Sequence, residues 1–139
     1  MVIDHEIVNR LLERMEQYLR LIGRMKFSKD ELVSNIDIQH LLERRLQLAI
    51  ETCIDVAQHL VSEERLSPRD TAADLFEALA RAEIISEALS RSLQSAVGFR
   101  NLLVHEYGAL NYELIYANFR EDLNDLREFA AAVSQYLDT

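Results

Sequence analysis

The residues of this chain best suited to chemistry stand together in one stretch, Gly98-Phe99-Arg100-Asn101-Leu102-Leu103-Val104-His105-Glu106-Tyr107-Gly108. Arginine presents a planar fork of donors that matches phosphate or carboxylate oxygens, and histidine exchanges protons near neutral pH. An asparagine amide and a tyrosine hydroxyl add neutral polar groups. Arg100 also stands where an apolar residue is expected. Counting from Leu89 through Leu93 and Ala96, position 100 continues a buried stripe, and a guanidinium there is costly without a partner. Something must face Arg100. At about 100° per residue Tyr107 returns to nearly the same side of a helix as Arg100, whereas His105 lies about 140° round and shares a side with Asn101. A single ideal helix therefore does not aim all four groups at one point. Either the helix loosens near Gly108, or a second copy supplies the complement across a symmetric interface. Gly98, which weakens a helix without adding a side chain to pack, suits a place where two backbones approach closely.

Other chemical signatures are absent from the sequence. There is no glycine-rich phosphate loop, no HExxH, no GxSxG and no EF-hand pattern. His5, His40, His59 and His105 are too scattered for a metal-ligand pair, so neither metal nor cofactor is expected. Asp55 and His59 stand four apart, a spacing that suits an ordinary ion pair on a helix surface. Cys53 is the only cysteine and falls within an apolar helical pattern, which excludes a disulfide framework and fits a reducing, cytoplasmic setting.

The elements that carry this cluster read as helices. With 3 Gly, 1 Pro and 49% hydrophobic residues in 139, the chain lacks the turn punctuation of a β-rich fold, and residues 1–139 are expected to form one domain around one core. Ile7, Leu11, Leu12, Met15, Leu19 and Ile22 recur at helical spacing, predicting a first helix from about Asp4 to Met25. Ser28 with Glu31 forms a capping-box signature, and no Gly or Pro follows before about Ser62, which predicts one long second helix. Its stripe Leu42, Leu46, Ala49, Cys53, Val56, Leu60 runs beside a second one, Ile50, Ile54, Ala57, Val61.

Ser67-Pro68 marks the clear break, and Thr71 with Asp74 opens a short third helix through about Ala80. A fourth helix is expected from about Ile84 to a Gly108 cap, and a fifth, capped by Asn111, reaches nearly to Leu137 with Leu114, Ile115, Phe119, Leu123, Leu126, Phe129, Val133 and Tyr136 facing inward. The fold class is all-α, an antiparallel bundle of about five helices.

Charge bounds the partners. A net charge of -9 argues against a surface that binds nucleic acid everywhere, although it leaves room for a local basic site. Lys26 and Lys29 are the only lysines, so the cations are mostly arginine. The N-terminal MVIDHEIVNRLLERME has neither a signal-peptide core nor a long apolar run, and no membrane partner is expected.

The order RNLLVHEY, an Arg-x4-His-x-Tyr motif, resembles the signature of HEPN-domain proteins of the HepT-like branch, the toxin partners of MntA-like nucleotidyltransferases. The likeness extends through ERRLQLAIETCIDVAQHL and SPRDTAADLFEAL to the last amphipathic helix. It implies an α-helical homodimer whose two motifs meet at or near the interface, and a metal-independent endoribonuclease acting as the toxin of a type VII toxin–antitoxin system. Under this resemblance Arg100 and His105 become the catalytic pair and Asn101 the polar companion of the arginine. Tyr107 becomes the residue that the antitoxin modifies with AMP. Two readings stand beside this one: a non-catalytic HEPN module that binds nucleotide or regulates the nucleotidyltransferase, and a structural helical dimer in which Arg100 merely pairs with an acid.

Overall fold

The computed structural model describes residues 5–66, 71–105 and 110–138. Within them the chain forms six helices: α1 (His5–Gly23), α2 (Lys29–Ser34), α3 (Ile36–Glu63), α4 (Ala72–Arg81), α5 (Glu87–His105) and α6 (Tyr112–Leu137). The long helices α1, α3, α5 and α6 alternate in direction. The end of α1, the start of α3, the end of α5 and the start of α6 thus gather at one end of the bundle, and α2 packs there against α3 and α6. The short α4 lies against α3 and α5.

One expected helix divides in two. Ser28 and Glu31 do form a reciprocal capping box, but the helix it opens ends at Ser34. Asn35 adopts an extended backbone, and its side-chain oxygen accepts from the amides of Asp37 and Ile38, capping a fresh helix. Asparagine competes for backbone donors in this way, so a break needs neither Gly nor Pro. The side-chain Nε2 of Gln39 donates back to the carbonyls of Leu32 and Val33 and ties the two helices together. The caps at Thr71 and Asn111 form as expected. α5 begins at Glu87, later than Ile84, because the Ser86 hydroxyl accepts from the amide of Leu89 and caps it there. The expected Gly108 cap lies outside the described residues.

Both α3 stripes enter the core, apart from the half-buried Ile54. Met15, Phe76, Phe129 and Leu103 are among the largest wholly buried side chains, and the rings of Phe76 and Phe129 meet edge to face at 5.8 Å. Two expected core residues face out: Ile7, 38% exposed, yields its place to Val8, and Leu114, 59% exposed, yields to Ile115. Of two adjacent apolar residues on a helix only one points at a given neighbour. Among the described residues no helix is long and apolar enough to cross a membrane.

Candidate functional site at the end of α5

α5 carries Arg100 toward α3, and the partner demanded by its place on the apolar stripe is Glu51. Arg100 Nη1 lies 3.7 Å from Glu51 Oε1, with the two side chains 24% and 35% exposed. The separation makes an ion pair but exceeds a good hydrogen bond. Gln47, one turn earlier on α3, donates to the same Glu51 oxygen at 3.1 Å and holds the carboxylate in place. Arg100 Nε is buried and has no acceptor among the described residues. The guanidinium is therefore anchored by Glu51 at the α3–α5 seam, with its side chain still 24% exposed.

Asn101, the next residue, turns to solvent. Arg100 and Asn101 thus point to different sides of α5, as helical geometry requires, and the structure does not bring them to one point. His105 is the last residue of α5, and Tyr107 lies outside the described residues. Gly98 is exposed, and a Cβ added to it would meet nothing within 4 Å. No close backbone approach is made at Gly98 among the described residues.

Sequence reasoning missed two acids near this site. Glu51 is one. Glu43 is the other, two turns earlier on α3 and only 8% exposed. Burial pushes its carboxyl above the usual range, against the pull of His40 and of its hydrogen-bonding neighbour Tyr112, and its Oε2 has no partner. Burial and the nearby Glu43 in turn push the Tyr112 phenol up. A signal for Glu43 was present: the second α3 stripe, carried back seven residues from Ile50, lands on it. The stripe Glu43, Gln47, Glu51 links the first turn of α6 to Arg100 on α5. The expected Asp55–His59 pair is not made; His59 Nε2 instead stands 4.0 Å from Glu63. Asp55 is raised by desolvation and by Glu51, with Arg14 opposing.

Next to the motif, Phe99, Leu102, Leu110, Leu114 and Ile115 line an apolar groove of about 330 Å³ between the end of α5 and the start of α6. Asp122 sits at its edge, where desolvation and the neighbouring Asp125 and Glu121 push its carboxyl up to about 6.

Known proteins share this helical frame. The mRNA nuclease HepT of Shewanella oneidensis is 26% identical over 125 residues, covering 90% of this chain and 94% of its own length. The tRNA nuclease HepT of Aphanizomenon flos-aquae is 26% identical over 138 residues, covering 99% of this chain and 94% of its own. The tri-AMPylated HEPN toxin of Shewanella oneidensis, solved in complex with its MNT antitoxin, superimposes with a TM-score of 0.86 at 25% identity, covering 93% of this chain and 97% of that one. The match to the ribonuclease HepT-like family runs over residues 5–133, from the first residue of α1 into the last turns of α6, and the chain belongs to that family.

Proposed function

We propose that the chain is a metal-independent endoribonuclease, the toxin of a pair whose MntA-like nucleotidyltransferase antitoxin silences it by placing AMP on Tyr107. The observation that carries the catalytic half is Arg100: a guanidinium fixed by Glu51 at the α3–α5 seam, with a buried Nε that lacks an acceptor among the described residues. A phosphodiester oxygen approaches the guanidinium from the side on which Arg100 remains 24% exposed.

The chemistry follows from the residue types. The RNA 2′-hydroxyl attacks the adjacent phosphorus as a base takes its proton. The 5′-oxygen leaves with a proton from an acid, and a 2′,3′-cyclic phosphate remains. Arg100 stabilises the charge that builds on the non-bridging oxygens. His105 handles the protons, one copy as base and its mate in the homodimer as acid, and Asn101 contacts the substrate from the solvent side. AMP on Tyr107 adds bulk and negative charge where the RNA phosphate binds, so modification and substrate exclude each other electrostatically. The dimer is supported by the uncrowded Gly98 and by Leu102 and Leu114, 45% and 59% exposed beside the motif.

The test is cleavage of RNA by the purified chain in the presence of a chelator, with product ends identified by mass spectrometry. Cyclic-phosphate ends that disappear in Arg100→Ala and His105→Ala are the expected result. Equal cleavage by these variants, or cleavage abolished by the chelator, overturns the mechanism. RNA or nucleotide binding without any cleavage assigns the chain to the non-catalytic binding modules instead. Co-expression with the nucleotidyltransferase is expected to add AMP to the intact mass, and Tyr107→Phe to prevent it.

A further inference from the structure

A chain with 24 acidic and 15 basic residues is a poor host for a polyanion, so the places where its cations lie unpaired carry information. Arg20, Arg24, Lys26 and Lys29 fall within ten residues at the end of α1 and the start of α2, and they include both lysines of the chain. The fold brings three more arginines to the same corner. Arg45 Nη1 donates to the carbonyl of Leu21 at 3.0 Å. Arg127 Nη2 lies 3.8 Å from where a Cβ on Gly23 would stand. Arg120 lays its guanidinium 4.8 Å from the ring centre of Tyr116 and 4.9 Å from that of Phe119.

Glu13 and Glu16 line one groove with Arg20 and Arg127, but most of these cations form no ion pair. Arg20 has Glu16 at 3.7 Å, and Glu31 is engaged in the capping box, which leaves Asp30 as the other acid on α2. Among the described residues, Arg24, Lys26, Lys29, Arg120 and Arg127 have no carboxylate within 4.0 Å. Most of the acids of α6 lie off its arginine face, although Glu113, seven residues before Arg120, shares it. Arg120 and Arg127 lie within about 20° of each other around the helix, while Glu121, Asp122, Asp125 and Glu128 stand about 80° or more away from both.

Aromatic rings interleave with the cations. Phe27, half-buried in the α1–α2 connection, stacks on Phe119 at 5.7 Å and meets Tyr116 edge-on at 6.0 Å. Phe27 and Tyr116 remain partly open to solvent, and Arg120 and Arg24 are exposed. This corner is at the motif end of the bundle. Tyr112, Tyr116 and Arg120 follow one another at one-turn steps along α6, so Arg120 lies about 12 Å along the helix from the residue that touches Glu43.

We infer that this corner is a track for single-stranded RNA leading away from the Arg100 site, a reading that rests on the proposed ribonuclease activity. Cations spaced along a groove neutralise successive phosphates, and the partly exposed rings of Phe27 and Tyr116 offer surface on which bases stack whatever their sequence. A second copy of the chain does not suit this surface, because two basic corners repel. An acidic protein partner matches the charge but leaves the aromatic faces without a use.

The experiment uses the full chain and a 2′-O-methyl RNA of about twelve nucleotides, which binds without being cleaved, followed by fluorescence anisotropy over a salt titration. Lys26→Glu with Arg120→Glu is the test pair, and Arg24→Glu with Lys29→Glu is a second pair that leaves the Tyr116–Phe119 packing alone. Arg81→Glu with Arg91→Glu changes the net charge equally on another face and serves as the control. Each track pair is expected to weaken binding about tenfold or more and to flatten the slope of log K against log salt by about 0.7 for each phosphate no longer neutralised. The control moves far less. Track and control variants that bind alike overturn the inference, as does an unchanged RNA affinity with weakened binding of the nucleotidyltransferase. Wild-type protein that cleaves RNA while the track variants match the control refutes the track alone. Track-dependent binding without any cleavage keeps the track and refutes the ribonuclease reading.

Discussion

The Arg100–Glu51 pair makes a quantitative prediction. At 3.7 Å two unit charges attract by about 4.5 kcal/mol if the effective dielectric constant is about 20. Desolvation and side-chain ordering consume much of this. Exposed pairs retain about 0–1 kcal/mol, and breaking a fully buried pair costs about 3–5 kcal/mol. With side chains 24% and 35% exposed, the pair falls between these limits, and its coupling is expected to be about 1–2 kcal/mol. Unfolding entropy for a chain of this length is about 0.3 kcal/mol per degree, so Glu51→Gln lowers the melting temperature by about 5 °C. The assay is a double-mutant cycle of Glu51→Gln and Arg100→Ala followed by circular dichroism. Protein concentration is held fixed because self-association shifts the melting point. If Glu51 is what holds Arg100, the second substitution adds little to the first. Single effects that sum to the double within about 0.5 kcal/mol would falsify the pairing.

Asp122 carries a pH dependence. Its folded-state pKa of about 6 lies above the ordinary 3.8, so between these values the folded chain holds a proton that the unfolded chain has released, and stability falls as pH rises through that window. Asp122→Asn is expected to raise the melting temperature at pH 7.5 by a few degrees and to flatten the change between pH 7 and pH 5; an unchanged pH profile overturns this. Gly98→Ala is expected to act in opposite directions on folding and association. The added methyl meets nothing among the described residues, so helix propensity stabilises the fold by about 0.5–1 kcal/mol, while the backbone contact that the proposed dimer would make there is pried apart. Light scattering that shows the variant as firmly dimeric as the parent removes Gly98 from the interface.

Most of the helical frame was legible because helix periodicity and capping are local. Asn111 and Thr71 cap the helices they were expected to cap, and the two α3 stripes are buried almost throughout. The break at Asn35 was missed because an asparagine within an apolar pattern is ambiguous until its side chain is seen to take the amides of Asp37 and Ile38. Ile7 and Leu114 were misplaced for a different reason. Each has an apolar neighbour in sequence, and periodicity alone does not decide which of the two a packing partner selects.

The site divides along the same line. That Arg100 needed an anion was readable from one helix, because a charge on an apolar stripe is a local anomaly. That the anion is Glu51 was not, because the axial register of α5 against α3 belongs to neither helix by itself. The same holds for the basic corner. A net charge of -9 averages over the whole surface, and only the fold brings Arg120 and Arg127 to the Gly23–Phe27 corner while Glu121, Asp122, Asp125 and Glu128, four of the five acids of α6, lie on its other faces. An acidic protein can therefore present a positive path to a phosphate backbone. On the proposed reading the overall charge suppresses indiscriminate binding and leaves for RNA the one end of the bundle where α5 delivers its arginine.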